Sequence, residues 1–74
     1  MIRVRLFGVV RLKSGTKEVA SDAKDLRELR RQIPGLTERE CKDCLVMVNG
    51  VPAKGNVRFD EGDEVVLMSP AGGG

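Results

Sequence analysis

The stretch that decides the fold is EGDEVVLMSPAGGG, residues 61–74, at the C-terminal end of the sequence. It begins within Asp60–Asp63, a run of Asp, Glu and Gly that is typical of a turn. Glu64–Met68 follows as an apolar run and predicts the final strand. Ser69–Gly74 has no large side chain to pack, and Pro70 stiffens its departure from that strand. We therefore expect one folded domain, residues 1–68, and a flexible tail, residues 69–74, that ends in di-glycine.

A strand is also predicted at the other end of the chain. Ile2–Phe7, IRVRLF, alternates strictly, which places Ile2, Val4 and Leu6 on the core face. The remaining expected elements are a helical turn at Val9–Lys13, a strand at Thr16–Ala20, a strand at Leu45–Asn49, a minor strand at Val51–Lys54 and an extended segment at Val57–Phe59.

The predicted main helix lies between the second and third strands. Asp25 is its N-cap, and Glu28 completes a pair resembling a capping box. Its apolar stripe has the three- and four-residue spacing of a helix face and consists of Leu26, Leu29 and Ile33. Pro34-Gly35 ends the helix. Leu36–Asp43 is polar, and we expect a loop there, with Thr37 as the start of any brief turn.

This order of elements predicts an α+β domain. One amphipathic helix and one face of a mixed sheet of four to five strands can bury each other. The first and last strands would then lie side by side at the centre of the sheet. The sequence contains no internal repeat and no second domain.

Composition excludes several classes of function. The formal charge is only +2, and no aromatic platform accompanies the basic residues, so we expect no direct nucleic-acid binding. His is absent and the chain has a single pair of cysteines, which argues against a metal site. No apolar run approaches the roughly 20 residues of a membrane span, and the charged N-terminus is unlike a signal peptide. We expect a cytoplasmic protein without a bound cofactor.

The two cysteines, Cys41 and Cys44, have the spacing of a redox pair. A redox pair normally opens a helix, which lowers the thiol pKa, whereas this pair precedes a strand. We therefore expect reduced thiols with at least one buried, and Cys44, beside the core strand, as the buried one. A disulfide or a reactive thiol is the alternative.

The tail has physical properties that suit a reactive terminus. Extended, its six residues span roughly 20 Å. Glycines have no Cβ, so Gly72, Gly73 and Gly74 can enter a channel too narrow for side chains. Ordering such a tail costs much entropy, which a partner enzyme would have to offset. A functionless, frayed terminus is the alternative.

Three stretches carry a resemblance to a known family: VRLFGVVR at Val4–Arg11, VNG at Val48–Gly50, and EGDEVVLMSPAGGG at Glu61–Gly74. The chain resembles the ubiquitin-like sulfur-carrier (MoaD/ThiS-like) family. That family includes the small subunit of molybdopterin synthase, the thiamine-pathway sulfur carrier and the small archaeal modifier proteins. It usually has a proline where Ser69 stands and a residue other than glycine where Gly72 stands.

The resemblance implies a β-grasp fold and a definite chemistry without a catalytic side chain of this chain. A partner adenylating enzyme would use ATP to activate the carboxylate of Gly74, with Gly73 and Gly72 recognised in the tail. A sulfur donor would then give a thiocarboxylate for molybdopterin, thiamine or transfer-RNA thiolation. The large subunit of molybdopterin synthase is one implied partner. Conjugation to target-protein lysines is the alternative, and a ubiquitin-like interaction module that never uses its terminus is a further one.

Alternation also predicts a docking face on the sheet. The apolar side chains that point away from the core are those of Phe7, Met47, Val66 and Met68. Val46 and Val48 are expected in the core. An apolar patch with a rim of arginines is a common interface pattern, and methionine adapts to several partners. The resemblance implies docking at positions matching Phe7, Arg11 and Met68. The alternative is that loops cover these side chains or that they are scattered.

Overall fold

Five strands and three short helices make up the described part of the computed structural model, which is residues 1–69. In chain order they are β1 (Ile2–Phe7), α1 (Val9–Ser14), β2 (Glu18–Ser21), α2 (Leu26–Arg30), α3 (Glu38–Lys42), β3 (Leu45–Val48), β4 (Val51–Pro52) and β5 (Glu64–Met68).

The strands form one mixed sheet in the order β2-β1-β5-β3-β4. β1 and β5 run parallel, and the other neighbouring pairs are antiparallel. Val4 pairs with Val65, and Leu6 pairs with Leu67. The prediction that the first and last strands lie side by side within the sheet is confirmed.

The core lies between one face of the sheet and α2. Asp25 caps this helix, since its Oδ1 accepts a hydrogen bond of 2.9 Å from the Glu28 N–H. That bond is the main cause of the lowered pKa of the Asp25 carboxyl. The buried apolar residues are Ile2, Val4, Leu6, Val10, Ala23, Leu26, Leu29, Ile33, Cys41, Val46, Val65 and Leu67. The predicted inward faces of β1 and β5 are therefore confirmed.

The main helix is shorter than its apolar stripe. α2 ends at Arg30, although Ile33 is buried in the same core. Pro34 disfavours helical backbone at the residue before it, so the helix unwinds ahead of Ile33. The Arg31 N–H already bonds the Glu28 carbonyl, a tightened last turn that marks the helix end.

The prediction of a loop at Leu36–Asp43 is wrong, because this segment contains α3, but the expected start at Thr37 is confirmed, since Thr37 is the N-cap of this helix. Thr37 and Glu40 form a full capping box: the Thr37 hydroxyl oxygen accepts from the Glu40 N–H, and the Glu40 carboxylate accepts from the Thr37 N–H. The T-x-x-E spacing is the sequence signal for this start. The helix also buries Cys41 against the core.

Three strands differ in their bounds from the prediction. β3 ends at Val48, one residue earlier than expected. β2 begins at Glu18 because Thr16 is held in a local turn, its hydroxyl donating to the Glu18 carbonyl at 3.0 Å. β4 includes only Val51–Pro52, at the edge of the sheet, although the Ala53 N–H beyond it still donates to the Val46 carbonyl at 2.9 Å. Within residues 1–69, no helix has the length and apolar character needed to cross a membrane.

Candidate docking face and the base of the tail

The strand register gathers apolar side chains on the face opposite the core. Met68 on β5 lies between Phe7 on β1 and Leu45 on β3. Two residues back along β5, Val66 lies between Arg5 and Met47. The outer patch therefore consists of Phe7, Leu45, Met47, Val66 and Met68. It is one contiguous surface drawn from the first, third and last strands.

Exposure differs across the outer patch. The exposed fraction is 40% for Phe7, 62% for Leu45 and 38% for Met68. Met47 and Val66 were expected to be exposed. Both are partly buried, because strands flank them on both sides. Val48, expected in the core, is likewise only partly buried, at the end of β3 where the chain enters the turn at Asn49-Gly50.

Leu45 is the member of the patch that sequence reasoning missed. It is more exposed than Phe7 or Met68 and is the direct register partner of Met68. The signal was present, because alternation places Leu45 on the same side of β3 as Met47.

Charged side chains border the outer patch on one side. Arg3 and Arg5 are exposed on the same face of β1, and the Arg3 Nε lies 2.8 Å from the Glu18 Oε1 on β2. Arg11 is exposed on α1, which follows β1 after Gly8, and is therefore not in the sheet register. The same helix exposes Val9 and Leu12. α1 thus offers a second apolar and basic surface next to the sheet.

The base of the tail is tied to the start of α1. The Ser69 hydroxyl oxygen accepts a hydrogen bond of 2.7 Å from the Val9 N–H. Gly8 has no side chain to cap the helix, so Ser69 satisfies this N–H from 60 residues away. Gly8 has a φ of 70°, and a Cβ there would lie 2.6 Å from the Ser69 oxygen. Glycine is required at this position both by backbone conformation and by space.

The position of Ser69 fixes where the chain leaves the sheet. Met68 is the last residue of β5 and belongs to the outer patch, and Ser69 is held next to it. The tail residues with predicted roles, Gly72, Gly73 and Gly74, lie outside the described residues. What the structure shows is that Ser69, the first residue of the tail, lies at the edge of the outer patch.

The prediction of two free thiols with at least one buried is confirmed, but the choice of the buried one is wrong. Cys41 is fully buried within α3, whereas Cys44, which was expected to be the buried one, is only partly buried. The cause is α3, which turns Cys41 towards the core. Both thiols are free, and the Cys44 Sγ donates to the Glu40 carbonyl at 3.5 Å. Burial is the main cause that raises the pKa of Cys41 to about 11 and also raises that of Cys44. Such thiols are poor nucleophiles at neutral pH.

Metal-ligating side chains do not gather anywhere in the described structure. Across residues 1–69 there is no group of three or more Cys, Asp or Glu side chains that could hold a metal ion. Neither does the outer patch contain a nucleophile with a base beside it. What this surface can do chemically is bind an apolar partner surface.

Solved structures similar to this chain are small proteins with the same fold. SAMP1 from Haloferax volcanii is 24% identical, with a TM-score of 0.72, over 99% of this chain and 98% of that one. Another structure of H. volcanii small archaeal modifier protein 1 is 19% identical, with a TM-score of 0.71, over 95% and 97%. A chain in the complex of subunits 1 and 2 of molybdopterin-converting factor from Helicobacter pylori 26695 is 25% identical, with a TM-score of 0.70, over 99% and 97%.

These similarities, with the mixed five-stranded sheet of residues 1–69, confirm the expected β-grasp, ubiquitin-like fold. No curated protein matches the sequence. The ThiS family profile matches residues 4–74, which is nearly the whole chain and includes the di-glycine end. The chain therefore belongs to the ThiS family.

Proposed function

We propose that this protein is a sulfur carrier whose working group is the carboxylate of Gly74. The observation that carries the proposal is the extent of the ThiS match, which continues past the folded domain to the terminal glycine. A profile that ended at Met68 would support only the fold. The position of Ser69 beside the exposed apolar side chains of the outer patch supports docking of a partner there.

The proposed reaction needs no catalytic side chain from this chain. The Gly74 carboxylate attacks the α-phosphate of ATP in the active site of a partner adenylating enzyme and displaces pyrophosphate. The product is a mixed anhydride, in which AMP is a good leaving group. Hydrosulfide as the sulfur donor then attacks the carbonyl of Gly74, so that a C–S bond forms, the C–O bond to AMP breaks and a thiocarboxylate is left. ATP is thus a substrate of the partner, and this chain is its co-substrate in the cytoplasm.

Docking would place the tail in that active site. The outer patch, centred on Met68, would contact the partner while Gly72–Gly74 enter a narrow channel. The H. pylori complex joins a chain similar to this one to a second molybdopterin-converting-factor subunit. A large subunit of that kind is therefore a proposed second partner, on which the sulfur would pass from Gly74 to a cofactor precursor.

A second candidate function uses the same terminus. Two similar structures are of a small archaeal modifier protein, which supports a role as a protein modifier. In that role, a lysine amine of a target protein displaces AMP from the activated Gly74 and forms an isopeptide bond. The two functions share the activation step and differ in the nucleophile that follows.

The activation step is tested by ATP–pyrophosphate exchange with a partner activating enzyme. The full chain should support exchange, and a chain that lacks Gly73-Gly74 should not, while both unfold at the same temperature. A control chain with one alanine added after Gly74 keeps every residue but displaces the carboxylate, and it should also fail. Exchange that persists in the shortened chain would refute the proposal.

A further inference from the structure

A basic cleft lies between α2 and α3, on the helical side of the domain away from the outer patch. It encloses a volume of about 400 Å³ and is lined by Arg27, Arg30, Arg31, Glu38, Lys42 and Asn56. Three separate segments contribute: α2 with its C-cap, α3, and the loop before Val57. The proposed sulfur-carrier function uses the tail and the outer patch and does not involve this cleft.

The basic cleft concentrates the positive charge of the protein. Its lining has four cations and one carboxylate, a net charge of +3, whereas the whole chain has +2. Part of this charge compensates the negative C-terminal ends of α2 and α3. Basic side chains can compensate each helix end separately, so this effect does not explain why they converge in one cleft.

Most of these cations have no carboxylate partner. The Arg31 Nε lies 2.9 Å from the Glu38 Oε2. In residues 1–69, Arg27, Arg30 and Lys42 form no ion pair. Arg31 is the main cause of the lowered pKa of Glu38, with smaller contributions from Lys42 and Arg27. Among the residues that line the cleft, one carboxylate therefore accompanies four cations, and the charge of Arg27 also contributes to the lowered pKa of Asp25 beside the cleft.

In the described part of the chain, one cleft side chain has a buried donor without a partner, and another is held in place by hydrogen bonds. The Nε of Arg30 is buried and has no hydrogen-bond partner among the described residues. Asn56 is fixed because its Oδ1 accepts from the Arg27 N–H at 2.8 Å and its Nδ2 donates to Asp25 at 3.3 Å. The Glu28 N–H and Asn56 engage the two oxygens of Asp25, which adjoins the cleft. Because Arg30 is partly buried, its side chain has fewer conformations to lose on binding an anion.

We propose that the basic cleft binds a small polyphosphate anion. Guanidinium groups match phosphate oxygens in a planar, two-pronged geometry, and three of them converge here. Phe7 and Phe59, the two aromatic residues of the chain, lie outside the cleft, so it has no surface on which to stack a base. The proposal is independent of the sulfur-carrier function, because it involves neither the tail nor the outer patch.

The test is titration of the full chain with inorganic tripolyphosphate, monitored by backbone amide chemical shifts. Shifts should concentrate at residues 27–31, 38–42 and 56. Arg30→Gln and Arg27→Gln should each weaken binding by about tenfold, the loss expected for a charge-assisted hydrogen bond. Glu38→Gln should strengthen binding, since it removes the one carboxylate and releases Arg31.

Charge-matched controls lie outside the cleft. Lys17→Gln and Glu61→Gln make the same charge changes and should alter the affinity by less than about twofold, given screening at physiological salt. Equal effects of cleft and control variants would overturn the proposal, as would shifts spread over the whole surface. A short single-stranded RNA that binds the cleft when tripolyphosphate does not would also overturn it.

Discussion

Phe7 and Met68 are register partners on the parallel strands β1 and β5, and both side chains lie on the face opposite the core. One residue earlier, Leu6 and Leu67 are also register partners, but their side chains are almost fully buried on the inner face. Substitutions in the outer pair and in the neighbouring inner pair can therefore distinguish effects on docking from effects on folding.

The outer pair should affect binding more than stability. Phe7→Ala and Met68→Ala should each weaken binding to the activating enzyme by about 1–2 kcal/mol if these side chains anchor the interface. Because both are already substantially exposed, the free energy of unfolding should fall by no more than about 1 kcal/mol. Partner affinity and denaturation midpoints measure the two effects separately.

The inner pair should behave in the opposite way. Leu6→Ala and Leu67→Ala should each lower the free energy of unfolding by about 2–5 kcal/mol, since each leaves a cavity beside α2. A domain of this size has about 4–11 kcal/mol in total, so either variant can unfold it. If the Phe7 and Met68 variants unfold while the leucine variants stay folded, the assignment of faces is wrong.

The bond between Ser69 and the start of α1 should contribute measurable stability. Ser69→Ala leaves the Val9 N–H without a side-chain partner and should lower the free energy of unfolding by about 0.5–2 kcal/mol, as for a lost N-cap. Ser69→Thr keeps the hydroxyl and should retain most of the stability. Chemical denaturation measures both, and equal midpoints for the wild type and Ser69→Ala would show that the bond contributes nothing.

The cysteines should differ in stability and in pH dependence. Cys41→Ser should be the more destabilising change, since it puts a hydroxyl in the core, and Cys44→Ser the milder one. The pKa of Cys41 is raised to about 11, so the folded state keeps this proton at a pH where the unfolded chain has lost it. The resulting stability is present below about pH 9 and is lost as the pH rises through about 11.

Comparison with Cys41→Ala isolates this effect from the titration of lysines. Between pH 9 and 11, the wild type should lose about 1–2 kcal/mol more than the variant does. Parallel pH profiles of the two proteins would contradict the assignment. Sulfur transfer should be intact in any cysteine variant that folds, because the sulfur would be on the terminal carbonyl.

The fold was predictable because strong local patterns agree with the tertiary structure. Strict alternation in Ile2–Phe7 and the cap at Asp25 each correspond to an observed element. α3 was missed because its segment is polar and only Cys41 is buried, so periodicity gave no stripe. Its capping box was the better signal.

The candidate site was predictable only where alternation alone decides it. The placement of Phe7 and Met68 on the outer face followed from the pattern of their strands. The bond from Val9 to Ser69 joins residues 60 positions apart and has no local signature. The same is true of the basic cleft, whose residues come together only when α2 and α3 pack.

The most direct test of the central claim is the intact mass of the protein after incubation with ATP, a sulfide source and its activating enzyme. We expect the mass to increase by the difference between one sulfur and one oxygen atom, and fragmentation should locate this increase on Gly74. The gain should be absent without ATP and absent in the chain that lacks Gly73-Gly74. An unchanged mass in a mixture where the enzyme performs ATP–pyrophosphate exchange with this chain would contradict the sulfur-carrier function, as would sulfur found on Cys41 or Cys44.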